Sequence, residues 1–142
     1  MENKTIAEAL LDYFEQFPLL KGGCLNLDFL PPDAKSYAVE INPSESVVEA
    51  YIDGSAVRQL EFVFCSTEYY GEFTRQHIDN SGFYERLAEW VKENNKSGVL
   101  PVISNGKEAE QLLVLTPGYL FQNDLQTARY QIQFKLQYYE EA

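Results

Sequence analysis

Thr127-Ala128-Arg129-Tyr130-Gln131-Ile132-Gln133-Phe134-Lys135-Leu136-Gln137-Tyr138 alternates without a slip. Ala128, Tyr130, Ile132, Phe134, Leu136 and Tyr138 fall on one face, and Thr127, Arg129, Gln131, Gln133, Lys135 and Gln137 on the other. A period of two is the strand period, so the stretch predicts a half-buried β-strand with one wet face. At about 3.3 Å per residue it runs roughly 40 Å, well past the ordinary strand of about five or six residues. A strand that long bends at a bulge or projects past its own domain, where another chain can pair with it. The reading points toward assembly.

Upstream, Thr5-Ile6-Ala7-Glu8 is a capping box. Ile6, Ala9, Leu10, Tyr13, Phe14 and Phe17 then recur at helical spacing until Pro18, which predicts a first helix near residues 5–16. Leu25 to Phe29 reads as a short strand and Ser36 to Ile41 as a second, followed by a turn over Asn42-Pro43-Ser44-Glu45-Ser46 and a strand from Val47 to Ile52. Asp53-Gly54 is a hairpin signal between apolar runs. Ala56 to Ser66 alternates again, with Leu60, Phe62 and Phe64 on one face. Its other face turns apolar at Val63 and Cys65, as in a central strand partly covered on both sides. Tyr69-Tyr70-Gly71 reads as a loop, and Glu72 to Ile78 as one or two helical turns. From Ser81, the stripe of Phe83, Tyr84, Leu87, Ala88, Trp90 and Val91 predicts a second helix ending at Asn94–Gly98. Gln111 to Thr116 reads as a strand, Pro117-Gly118 as a turn and Tyr119-Leu120-Phe121 as a short element. Helices and strands in segregated runs imply a single α+β domain over residues 1–142, with two helices on one face of a mainly antiparallel β-sheet.

The composition narrows the function. Hydrophobic content of 45%, with ten Tyr and nine Phe, excludes a disordered chain. A net charge of −11 argues against nucleic acid and anionic membrane as partners, because both attract clustered Lys and Arg. The bland account of that acidity is solubility. No apolar run approaches the ~18 residues of a membrane span, and no secretory signal opens the chain. Cys24 and Cys65 lack any CxxC spacing and sit in apparent strands, which predicts free buried thiols.

Reactive constellations are sparse. His77 is the single histidine; Asp79 and Ser81 stand near it in sequence, but sequence proximity does not make a triad. Gly22-Gly23 is not followed by a phosphate-loop pattern, and no EF-hand or zinc spacing occurs, so no cofactor or metal is expected. Tyr69, Tyr70, Phe73, Phe83 and Tyr84 lie among Glu68, Glu72 and Glu85, a setting that suits a core or a protein interface better than base stacking.

Four stretches carry a family likeness: Asp53-Gly54-Ser55 with Arg58 to Phe64, Asn80-Ser81-Gly82-Phe83-Tyr84-Glu85, Thr116-Pro117-Gly118-Tyr119-Leu120-Phe121, and Thr127 to Gln133. Together they resemble a phage and prophage family of Firmicutes, of the minor capsid or tail-terminator class, over nearly the whole chain from Thr5 to Tyr139. The resemblance implies a tail-terminator-like sandwich and a structural, non-enzymatic virion component. It further implies a homo-oligomeric ring of six, monomeric in solution or not, partnered by other head and tail proteins. The expected location is the host cytoplasm during assembly and then the virion. On that reading Tyr69, Tyr70, Phe73, Arg75, Arg129, Gln131 and Lys135 are the candidate interface residues. Some relatives carry a chloramphenicol-resistance label, but His77-Ile78-Asp79 does not match the HHxxxDG motif of that acetyltransferase. The alternative from another class is an acidic adaptor or immunity-type protein that blocks a basic partner.

Overall fold

Two antiparallel strands of fourteen residues each form the centre of the fold. The computed structural model describes residues 5–20, 25–32, 36–69, 74–103, 106–123 and 127–142, and their side chains except at 43–45, 74–80 and 123. In chain order the elements are α1 (Ile6–Glu15), a 3-10 turn (Pro18–Leu20), β1 (Leu25–Leu27), β2 (Ser36–Ala50), β3 (Ala56–Tyr69), α2 (Thr74–Ser97), β4 (Lys107–Val114), β5 (Tyr119–Asn123) and β6 (Thr127–Glu140).

The six strands make one sheet in the order β1-β2-β3-β6-β4, with β5 also on β6. Only β1 runs parallel to its neighbour; every other pair is antiparallel. β4 pairs with Phe134 to Glu140 and β5 with Ala128 to Gln131, so the two are successive pieces of one edge. Between them the chain stays attached: Leu115 N–H donates to the Gln133 carbonyl at 2.8 Å, and Thr116 Oγ1 accepts from Gln133 N–H at 3.2 Å.

Both helices pack on one face of the sheet, which makes the fold α+β. Thr5 caps α1 as its sequence demands, with Oγ1 accepting from Glu8 N–H at 3.1 Å. The apolar side of α1 then meets the sheet through Phe14, whose ring lies 5.3 to 5.9 Å from those of Phe62, Phe64 and Phe134. Tyr84 does the same for α2. Its hydroxyl donates to the Tyr130 carbonyl at 3.0 Å and pairs with the Ser66 hydroxyl at 2.6 Å. Full burial pushes this phenol well above its ordinary pKa.

Three boundaries differ from the sequence reading. The turn expected over 42–46 is instead part of a continuous β2, which absorbs extra residues as register shifts against β3 at Ile41/Glu45 and Val47/Glu49. α2 begins at Thr74 rather than Ser81, and β3 runs on to Tyr69. The outer face of β6 is not uniformly wet either, because Gln131 is buried. None of the helices among the described residues is long and apolar enough to cross a membrane.

Candidate functional site

The β2–β3 hairpin follows directly from Asp53-Gly54. Tyr51 N–H donates to the Ser55 carbonyl at 2.9 Å, and Gly54 N–H closes back on the Tyr51 carbonyl at 3.1 Å. The loop is therefore Ile52-Asp53-Gly54, with Gly54 at φ +95°, the left-handed conformation that ends a three-residue hairpin turn. Asp53 Oδ1 accepts from both the Ser55 hydroxyl (2.6 Å) and the Ser55 N–H (3.0 Å), which lowers its pKa.

This hairpin stands clear of the helices. Residues 46 to 54 are all exposed. Ile52 is fully solvent-facing at 109%, and Val47 and Val48 are each half-exposed at 50%. Ala50, Tyr51, Ile52, Asp53, Ser55 and Tyr139 frame an open concavity of about 610 Å³ beside it. The same end of the sheet is acidic. Arg58 and Lys107 both reach Glu140, at 3.1 and 3.6 Å, so these two cations share one carboxylate. Glu49 accepts from the Tyr51 hydroxyl at 3.1 Å, and that bond is the main reason the phenol's pKa is raised. The tip therefore presents exposed apolar side chains beside the carboxylates of Glu49 and Asp53.

The candidate residues of β6 lie elsewhere, on the face of the sheet away from the helices. Arg129 crosses β3 and grips Glu40 of β2 with two hydrogen bonds, 2.7 Å from Nη2 and 3.2 Å from Nη1. It also donates to Gln131 Oε1 at 3.0 Å from Nη2 and 3.2 Å from Nε. Its guanidinium carbon sits 5.1 Å above the Phe121 ring. Burial opposes the Arg129 charge, but the hydrogen bonds to Glu40 and the fields of Cys65 and Tyr84 outweigh it and raise its pKa. Gln131 and Gln133 both donate to the Tyr119 hydroxyl, at 2.5 and 3.0 Å. The pair is a clasp that holds β2 to β6 across β3, with the buried Cys65 beneath it.

Of the remaining candidates, Lys135 is half-buried opposite Glu61, and Tyr69 is exposed at the far end of β3. Tyr70 and Phe73 lie outside the described residues, as do Cys24 and Gly22-Gly23, and the side chains of Arg75 and His77 do as well. The structure thus brings Arg129 and Gln131 together, places Tyr69 opposite Thr127, one same-face position along from Arg129, and sets Lys135 four residues further along β6. The sequence reading missed the hairpin tip as a surface. Its signals were present: Val47-Val48 is an apolar pair in a strand, and no Lys or Arg occurs from Asn42 to Val57. The chain matches no protein-family model and no curated protein.

Proposed function

We propose that this chain is a structural assembly protein, of the tail-terminator or head–tail joining kind that its sequence resembles, and that it works through protein–protein contact. The observation that carries this reading is the exposed apolar hairpin end of a sheet whose central strands are fourteen residues long. A side chain such as Ile52, at 109% exposure, buries no area within the fold and, with Val47 and Val48, offers apolar surface to another chain.

In a ring of six, copies at −11 each carry −66, so repulsion opposes closure and salt screens it. Assembly in the host cytoplasm is therefore favoured by ionic strength or by a partner that supplies counter-charge. Negative-stain microscopy of the purified protein, alone and mixed with phage tail tubes, tests the proposal. Rings near six-fold, or tubes capped at one end, support it. Protein that leaves tube ends bare at every salt concentration overturns it. The acidic hairpin end also favours a second reading, an adaptor that occupies a basic partner; binding to a host protein but not to tail components would select it.

A further inference from the structure

Among the described residues, specific groups cover parts of the β4 and β2 edges of this sheet. On β4, Asn95 of α2 donates to the Leu112 carbonyl and accepts from Leu112 N–H at 3.0 Å, so the helix caps that edge. Pro117 interrupts the same edge and has no N–H to offer. On β2, β1 pairs with Tyr37 to Val39, and Asp28 Oδ1 accepts from the N–H of Ile41 at 2.9 Å. Past that point Ser46–Ala50 has β3 on one side and no described strand on the other, and all five residues are exposed. Five residues is about the length of an ordinary strand.

We propose that the outer edge of β2 over Ser46–Ala50 accepts an added strand: an extended segment of a partner protein in which apolar side chains alternate with lysine or arginine. Free main-chain groups on an open edge recognise a strand, and the side chains beside them select it. Val47, Val48 and Tyr51 are each 43 to 50% exposed and supply the apolar contact. Charge selects the occupant. From Asn42 to Val57 the sequence holds Glu45, Glu49 and Asp53 and no base, and the next cation, Arg58, is held by Glu140. A second copy of this chain would set these acids against a chain of net charge −11, so the occupant is basic rather than another copy. The inference concerns a foreign segment at one edge and stands whether or not copies close into a ring.

The test uses the full chain and a fluorescein-labelled peptide of five Val-Lys repeats, with a Val-Glu peptide as control. Fluorescence anisotropy is expected to show saturable binding of the Val-Lys peptide and none of the Val-Glu peptide. Hydrogen exchange should slow at Ser46–Ala50 in the complex. Glu49→Lys should weaken binding about tenfold, as reversal of a nearby charge does. Val48→Pro should abolish it, and Val48→Lys, which keeps the backbone intact, should weaken it if the proline variant is unfolded. Equal binding of the two peptides, indifference to Glu49→Lys, or protection that appears elsewhere on the sheet each overturns the proposal. So does a dimer without peptide that buries the same amides, since the occupant would then be a second copy.

Discussion

Replacing Gly118 with alanine tests how the interrupted edge is fastened to the helix layer. A β-carbon at Gly118 would lie 2.3 Å from Tyr84 Cβ and 2.5 Å from Tyr84 Cγ, far inside non-bonded contact distance. Tyr84 cannot swing aside. The obstructing atoms begin at its Cβ, fixed on α2, and its hydroxyl is tied to Ser66 and Tyr130. The chain at Leu115–Gly118 must move instead, and doing so strains the Leu115–Gln133 and Gln133–Thr116 hydrogen bonds. Overpacking of this kind costs ~1–3 kcal/mol. Each strained hydrogen bond adds ~1 kcal/mol. A loss of about 3–5 kcal/mol is expected, a large part of the roughly 5–15 kcal/mol that holds a domain of this size together. Gly82→Ala is the matched control: Gly82 lies inside α2 with nothing within 4 Å of an added β-carbon, so it should gain about 0.5–1 kcal/mol from helix propensity. Urea unfolding of both variants, fitted with a common slope, measures the difference. A Gly118→Ala protein within about 0.5 kcal/mol of the parent refutes the packing argument.

Alkaline pH should unfold this protein early. Burial pushes the Cys65 thiol up to about 12 from 9.0 and the Tyr37 phenol up to about 12 from 10.0. The folded chain therefore keeps protons that the unfolded chain releases, and stability falls from about pH 9 toward pH 12. At ~1.4 kcal/mol per tenfold change in proton affinity, the two groups together account for several kcal/mol over that window; urea midpoints flat from pH 8 to 11 would sink the idea. In a Cys24→Ser background, native Cys65 should resist a thiol reagent at pH 8 and react at once in guanidinium, which absorbance of the released thiolate records. Arg129→Met leaves Glu40 facing Gln131 without its cation and should cost ~1–2 kcal/mol in urea, with Glu40→Gln showing a comparable loss. Asn95→Ala removes both hydrogen bonds to Leu112 and should cost ~2 kcal/mol, with faster amide exchange confined to β4.

How much of this was legible depends on whether a feature is local. The alternation of β6 and the capping box of α1 are short-range patterns, and both elements form where the residues place them. The partial cover on the outer face of β3 was also readable, from Val63 and Cys65 interrupting a polar row; Cys65 is buried, Val63 half-buried and Glu61 exposed. Asn42-Pro43-Ser44 misled because turn propensity is a preference of isolated chain. Eleven pairings with β3 outweigh it and leave the surplus residues as bulges. The helical turns read at Glu72 to Ile78 were not joined to the helix from Ser81, because Thr74 to Asn80 carries Ile78 as its one aliphatic residue and no periodicity runs across the junction. The clasp between Arg129 and Glu40 joins residues 89 apart, and no spacing in the chain announces it. The open edge of β2 is less legible still, because an edge is defined by which strands are neighbours.

The lengths of the elements bear on why that edge is open. Fourteen residues of β3 and β6 span about 46 Å. In the helix layer, α1 with ten residues spans about 15 Å and α2 with twenty-four about 36 Å. A helix layer can shield strands only over its own length, so the overhang must be stabilised by strand pairing. It is: β3 pairs with β6 at every position from Ala56 to Tyr69, and β4 supports the last seven residues of β6. On the opposite side, β1 stops after three residues, and past it β2 has β3 alone beside it among the described strands. A protein under selection for monomeric solubility blunts such an edge with inward charges or a covering loop. Here the side chains at the overhang are Val47, Val48, Tyr51 and Ile52, and the acids around them disfavour pairing between copies. Retaining apolar contact while repelling like chains is the arrangement that the proposed basic strand requires.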